Sequence, residues 1–541
     1  MTDSVADYIV VGGGLTGCLV ASRLSQSEAR PKVVLLEAGT DPSSNPAAAG
    51  LLSGLSLLGG ELDYAYQSER VESTADRVHT LNSGKVLGGG SILNFGGWLR
   101  ADAADYDEWA DKVGDKRWSY EGLKPWFRKS ESFHGAGADA DEHGFTGPMH
   151  VTTILASESG ERKYLLREPV ENAWTELGVT PNLDKKGGII AGLTEVCENS
   201  SREGLRQPSY STYPLNNVRV FTETVVHRVT FSDTIATGVE LADGRRITAR
   251  KEVIVCAGAY RTPQILMLSG IGPSAILAEQ DIPIVHESPH VGQNLHDHFA
   301  VYFAFRLRDP SKGYALGSPS WRNPALFKGL PWDWVVSQPL PEDIITKHEP
   351  NAAKQKRNLF EVLTLYAPPG IPGIPVDGTH IATSTMLLLP TSRGTVSIRS
   401  KDIADQPCIR PNYFSTPLDR DTLVYAARQT LKAMLATTSM KSIVDSETPP
   451  SGEGLEGLVP LMPDASDAEI EERIQRTATQ HHHSGGTAAM GKVVDAEGKV
   501  IGVKGLRVAD ASIIPMPMGG HPQATLYAMA EQIVAMIIED A

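Results

Sequence analysis

Cysteine is scarce in this chain, with only Cys18, Cys197, Cys256 and Cys408 in 541 residues and no C-x-x-C pair. That excludes a disulfide framework and a cysteine zinc site, and leaves four buried thiols as the expectation. No apolar run reaches the length that spans a bilayer, so no membrane segment is expected. Positive charge is in deficit, 50 Lys and Arg against 65 Asp and Glu for a formal charge of −15. This removes the basic stripe that nucleic acid or anionic lipid would need. A short acidic leader precedes the first apolar strand at Tyr8 and carries no signal-peptide pattern, which gives the expectation of a cytoplasmic, intracellular protein. A secreted chain with its signal trimmed would read the same. Asn199-Ser200-Ser201 fits a glycosylation acceptor, a tripeptide that also arises by chance. The length exceeds what one hydrophobic core supports, so two domains or an interleaved pair are expected.

Glycine, by contrast, is concentrated in two places. "DYIVVGGGLTGCLVASRLSQSEARPKVVLLEAG" reads as strand, tight turn, helix and strand, a βαβ unit. Gly12, Gly14 and Gly17 have the G-x-G-x-x-G spacing. The first permits the turn, the second lets backbone approach a pyrophosphate, and the third lets helix pack on strand. Glu37 follows Gly17 at the end of the second strand, where a carboxylate can accept from ribose hydroxyls. A dinucleotide site is the reading, with NAD and FAD both open at this point.

The second concentration is "GKVLGGGSILNFGGWLRADAADYDEWA", Gly84 to Ala110, whose Val86, Leu87, Ile92, Leu93 and Trp98 are too apolar for a solvated linker. Residues without Cβ, Gly89 among them, suit backbone pressed against a flat ligand. "GKVLGGGSILN" resembles the first signature of the glucose-methanol-choline (GMC) flavin oxidoreductases. "GAYRTPQILMLSGIG" is similar to the second signature, "VGQNLHDH" to the V-G-x-N-L-x-D-H segment, and "GLRVADASIIP" to the C-terminal flavin-binding strand and turn. "DYDEWA" and "GTVSIRSKD" fall between them in the family order.

The resemblance implies FAD, with contacts from Leu15 and Thr16 at the turn, Glu37 and Ala38 at the ribose, Ser91 in the first signature, and Val86 with Asn94, Phe95, Gly96 and Gly97 beside the isoalloxazine. Val226 and Ala511 match further contacts, and Tyr64 stands where many relatives have tryptophan. Relatives that attach FAD through a histidine carry it where this chain has Ile92, Leu93 and Asn94, so non-covalent FAD is expected.

"TATQHHHSGGTAAMG" holds three successive histidines, and "MGGHPQATLYAMAEQIVAM" places His521 just before an amphipathic C-terminal helix. In extended chain only His481 and His483 share a face, and no sequence neighbour supplies a further ligand, so no metal is expected. The family pattern H-x-x-G-T aligns with His483, and His521 aligns with the second member of the active-site pair. Imidazole suits the chemistry, since oxidising a carbinol needs a group of near-neutral pKa for the hydroxyl proton. His483 is assigned as general base and His521 as the partner on the substrate oxygen, with the two roles open to exchange. His481 and His482 are read as satisfying buried backbone groups. Pro522 and Gln523 open the helix, whose first amides would face the flavin pyrimidine.

The fold expected is α/β, or α+β overall: a discontinuous Rossmann-like FAD-binding domain (1–150, 215–310 and 490–541) with an inserted substrate domain (151–214 and 311–489) built on an antiparallel sheet with helices. Trp321, Trp332 and Trp334, with the rigid apolar segment "YAPPGIPGIPVDG", either line a pocket mouth or pack the substrate domain. The expected activity is FAD-dependent oxidation of the CH–OH group of a small or medium primary alcohol, aromatic alcohols included, with oxygen or a quinone-type compound as acceptor. The alternative is a non-redox lyase or cyclase on the same fold, like the family's hydroxynitrile lyases, with FAD not turning over. The sequence sets no oligomeric state.

Overall fold

The computed structural model describes residues 5–135, 138–156, 162–183, 186–201, 203–348 and 359–541. Strand β1 (Val5–Val11), helix α1 (Leu15–Gln26) and strand β2 (Val33–Leu36) form the expected βαβ unit, with β1 and β2 parallel from Tyr8↔Val33 to Val11↔Leu36. The inner residues Ile9, Val10, Val11 and Val33–Leu36 are all buried, because a parallel sheet is covered on both faces. Gly12 makes the turn at φ +100°, and a Cβ there would sit 2.4 Å from the carbonyl oxygen of Cys256. Only glycine takes that conformation and that contact without strain.

Among the described residues this first sheet has seven strands. Val218–Phe221 extends it beyond β2, Arg246–Val255 lies parallel to the other side of β1, and Leu506–Val508 is parallel beyond that. Val226–Ser232 and Ile235–Leu241 add an antiparallel edge. The chain therefore leaves and re-enters the sheet, as a discontinuous domain requires.

The second sheet is antiparallel, in the order Val444–Thr448, Phe299–Leu307, His380–Leu387, Phe360–Leu365, Trp332–Gln338 and Gly192–Glu195, with Thr479–Gln480 beside the start of Phe299–Leu307. Helix Pro417–Leu435 packs against His380–Leu387 and Phe360–Leu365. Its start is set by Thr416, whose hydroxyl accepts from the Asp419 amide, and by Pro417 in the first turn. Strand Phe299–Leu307 belongs wholly to this sheet, in register from Phe299↔Leu387 to Arg306↔His380. It was expected on the dinucleotide side of a boundary near 310, but its pairing carries it across.

All four cysteines are buried. Asn199 is 2 % exposed and donates to Gln523 Oε1 at 3.0 Å, so its side chain serves the interior and not a glycan. Among the described residues no helix is long and apolar enough to cross a membrane.

Candidate active site

A cavity of about 1010 Å³ runs from the glycine turn after β1 to the histidines beside the second sheet. Its size lies at the upper end of small-molecule sites, about 1,000 Å³, which suits an extended cofactor with a substrate beyond it. Gly12, Gly14, Leu15, Thr16, Glu37, Ala38, Tyr64, Gly89, Asn94, Phe95, Gly96, Gly97, Val226, Ala511, His521, Pro522 and Gln523 all line it. Gly17, Val86 and Ser91 of the same motifs do not. Gly17 packs α1 onto the turn, where a Cβ would lie 1.9 Å from the carbonyl oxygen of Gly12. Val86 is fully buried among Leu57, Leu62, Ile92 and Leu93. Ser91 donates to Gly88 O at 2.6 Å and accepts from the Ser209 amide at 3.0 Å.

The residues at the glycine end fit a dinucleotide. Gly89 takes φ +50°, and a Cβ on it would come within 2.7 Å of Gly14 Cα, so the two glycine segments touch backbone to backbone. Glu37 accepts from the amides of Gly13 and Gly39, 2.7 Å at each oxygen. A carboxylate has about four acceptor positions, so two remain for ribose hydroxyls. Burial pushes the Glu37 carboxyl up to about 7 against the pull of those amides. Tyr64 stacks on Tyr66 at 4.9 Å with the Arg261 guanidinium over its ring.

Asn94 links this end to the C-terminal helix, Pro522–Glu539. Its Nδ2 donates to Gln523 Oε1 at 2.8 Å, and Gln523 Nε2 donates to Gly97 O at 3.1 Å. His521 is the N-cap residue and makes no side-chain cap bond, so the first helix amides stand uncapped at the cavity.

At the far end the rings of His483 and His521 lie 4.8 Å apart between centroids, crossing at 67°. Each is held on one nitrogen. His298 Nε2 faces the carbonyl oxygen of Met518 at 2.8 Å, so that nitrogen carries the hydrogen. Burial pushes the His298 imidazole down to about 3, so it is neutral and its Nδ1 is an acceptor. His483 Nδ1, 2.8 Å away, must then be the donor, which leaves the lone pair of His483 on Nε2. Burial, then the neighbouring imidazoles, hold His483 well below the ordinary histidine range. Its amide donates to Asp297 Oδ1 at 2.8 Å, and Ser484 and Tyr413 donate to Asp297 Oδ2.

His521 Nε2 meets Glu361 Oε1 at 2.8 Å, and Glu361 is 1 % exposed. The carboxylate takes a hydrogen from Nε2 and turns Nδ1 toward Gly97, where even a Cβ would stay 3.6 Å from it. Gly97 thus keeps the space beside the histidine pair open.

Sequence reasoning left out His298 and Glu361. His298 stands in "VGQNLHDH" but was given no role, and Glu361 is a lone acid in the apolar run "FEVLTLY", the signal that could have found it. All three successive histidines face the cavity. His481 Nε2 contacts Ser384 Oγ at 3.3 Å, while His482 takes the left-handed φ +62° and turns its ring toward Phe95. Trp332 lines the cavity, as do Ala367, Pro369, Ile371 and Val376 of the Pro-rich segment, whereas Trp321 and Trp334 pack the core. No three metal-ligating groups converge among the described residues.

Residues 6–300 and 390–530 match the two family models described as GMC oxidoreductase. The chain is 39 % identical over 551 residues to GMC-type oxidoreductase acuG of Aspergillus aculeatus, covering 98 % of this chain and 99 % of that one. It is 32 % identical to an oxygen-dependent choline dehydrogenase of Paraburkholderia phymatum, covering 98 % and 92 %. The solved structure of pyridoxine 4-oxidase from Mesorbium loti superimposes with TM-score 0.83 at 25 % identity, covering 98 % of each chain.

Proposed function

The chain belongs to the GMC oxidoreductase family, and on that premise we propose that it oxidises the CH–OH group of a small or medium primary alcohol with an apolar, commonly aromatic, body. FAD is the cofactor and, when bound, supplies the acceptor for the hydride that leaves the carbinol carbon. His483 Nε2 takes the hydroxyl proton, since its lone pair is fixed toward the cavity by the His298 relay. His521, held on Nε2 by Glu361, presents its Nδ1 lone pair beside the same place, a second acceptor for the hydroxyl hydrogen, so that the two histidines share or exchange the part of base. The paired imidazoles, each locked on its far nitrogen, carry this reading. The relatives named for choline and pyridoxine, both compounds bearing a CH₂OH group, support the donor class.

The substrate-side wall supports the rest. Leu316, Trp332, Leu363, Leu365 and Ala367 form an apolar surface, a poor match for a sugar or a free cation. The FAD is held without a covalent bond, with oxygen or a quinone-type compound as its oxidant. No feature of the site favours the lyase or cyclase alternative.

Anaerobic stopped-flow mixing of the yellow protein with benzylic, allylic, aliphatic, polyol and sugar alcohols tests this. Loss of the oxidised flavin band with benzylic or allylic alcohols is the expected outcome. A flavin that none of them bleaches would overturn the reading.

A further inference from the structure

The mechanism uses His483, His521 and their supports, and leaves a second polar cluster on the same cavity without a task. Tyr302 and Ser384 face each other directly across the neighbouring strands Phe299–Leu307 and His380–Leu387. His481 follows the short strand Thr479–Gln480, which pairs with the start of Phe299–Leu307, and its ring lies 6.3 Å from that of Tyr302 at 11°. Ser384 Oγ contacts His481 Nε2 at 3.3 Å, and the Nδ1 of His481 has no hydrogen-bond partner. All three side chains line the cavity amid Leu316, Trp332, Leu363 and Leu365.

One sheet therefore sets three polar groups into an otherwise apolar wall. Tyr302 and Ser384 hydrogen-bond each other, and covering the donor and acceptor positions left over on the cluster with hydrocarbon strips them of water without replacement. A ligand that carries an oxygen at that place avoids the cost. The spacing is short: the His481 ring centroid is 5.1 Å from that of His483 and 5.8 Å from that of His521. A planar ring carrying the carbinol at one edge would reach the cluster with its other edge.

Resting on the alcohol-oxidation reading, we propose that Tyr302, Ser384 and His481 form a subsite for a second oxygen function of the substrate, a hydroxyl or carbonyl one ring's length from the carbinol. The substrate is then an oxygenated aromatic or cyclic alcohol and not a plain hydrocarbon one. Tyr302 and Ser384 are specificity-determining residues that leave the proton chemistry alone.

The test compares 3- and 4-hydroxybenzyl alcohols with 3- and 4-methylbenzyl alcohols as anaerobic reductants of the FAD-loaded wild type, Tyr302→Phe and Ser384→Ala. Substituent electronics cancel in the ratio of hydroxyl to methyl substrate when wild type and variant are compared. Tyr302→Phe keeps the ring against His481 and should lower that ratio about tenfold for the better-placed isomer, the scale of one lost hydrogen bond. Methyl substrates should change less than about twofold on that same scale, because they never used the hydroxyl. Flavin bleaching with the same ratio in both variants and the wild type would overturn the subsite while sparing the alcohol reading. Flavin that none of the probes bleaches would remove the reading, and the subsite with it.

Discussion

The two ends of the cavity are built from different materials. At the glycine end, the turn Gly12–Gly17, Glu37 and the segment Gly84–Gly97 act through backbone: a φ of +100°, an approach of Gly89 to Gly14, amides clamped on a carboxylate. At the histidine end the working parts are side chains far apart in sequence. His298 and His483 are 185 residues apart and Glu361 and His521 are 160, each pair brought to 2.8 Å by sheet register and loop return. A cradle for phosphate and ring can be specified by what is missing from short stretches. A pair of oriented imidazoles needs the finished fold.

The largest effect that sharpens this contrast comes from Gly14. A Cβ placed there would meet nothing closer than 4.0 Å of protein, so the backbone accepts a side chain and the cavity receives it. Gly14→Val is expected to fold with near-normal circular dichroism and melting temperature yet purify colourless, read as the ratio of flavin to protein absorbance. Gly17→Ala is its foil: 1.9 Å from Gly12 O, the methyl must push α1 off the turn and lower the melting temperature itself. A fully yellow Gly14→Val would break the view that this end is defined by backbone approach.

The histidine end should behave in the opposite manner, keeping its cofactor and losing its chemistry. His483→Ala is expected to stay yellow while anaerobic flavin reduction slows by roughly 10²–10⁴, the range for a lost positioned base. Unchanged reduction would remove His483 from that role. The wild-type pH profile carries the same information. A base with its pKa depressed is neutral, and able to accept, down to a lower pH, and its rate falls only as pH drops through the depressed value. Reduction should therefore stay flat below about pH 6.5, where an ordinary imidazole titrates. Burial raises the carboxyls of Glu37 and Asp297 to about 7, so a break near that pH counts against His483 only if it persists in Glu37→Gln and Asp297→Asn.

What could be read in the sequence follows the same division. The βαβ unit, its acidic partner and the second glycine cluster lie in continuous stretches whose spacing is itself the geometry. His483 and His521 could be singled out because each sits in a short motif. The orienting groups were not, because nothing near Glu361 in the chain says which histidine its strand will face, and His298 gains its meaning only from the Met518 carbonyl and the His483 ring. Strand Phe299–Leu307 was misplaced for a related reason: its apolar run reads as a core strand in either domain, and only its partners decide which. Val86 and Ser91 belong to the same motifs but face inward, since a motif gives a neighbourhood and not a direction for each side chain.

The smallest effect probes Glu361, the residue on which the histidine end depends without its touching substrate. Glu361→Gln preserves size and can still accept from His521 Nε2 through its amide oxygen, so the ring keeps its orientation. What it loses is charge. A neutral acceptor replaces a charge-assisted one, a difference of about 1–1.5 kcal/mol, equivalent to about tenfold in the rate of flavin reduction. Because the ring stays in place, the substrate's apparent affinity should move little and the loss should fall on the reduction step. Glu361→Ala removes orientation as well and should cost more than Glu361→Gln, with affinity affected too. If instead the two substitutions were equal and FAD content unchanged, the carboxylate would act only as a charge, and the claim that it turns Nδ1 of His521 toward Gly97 would fall.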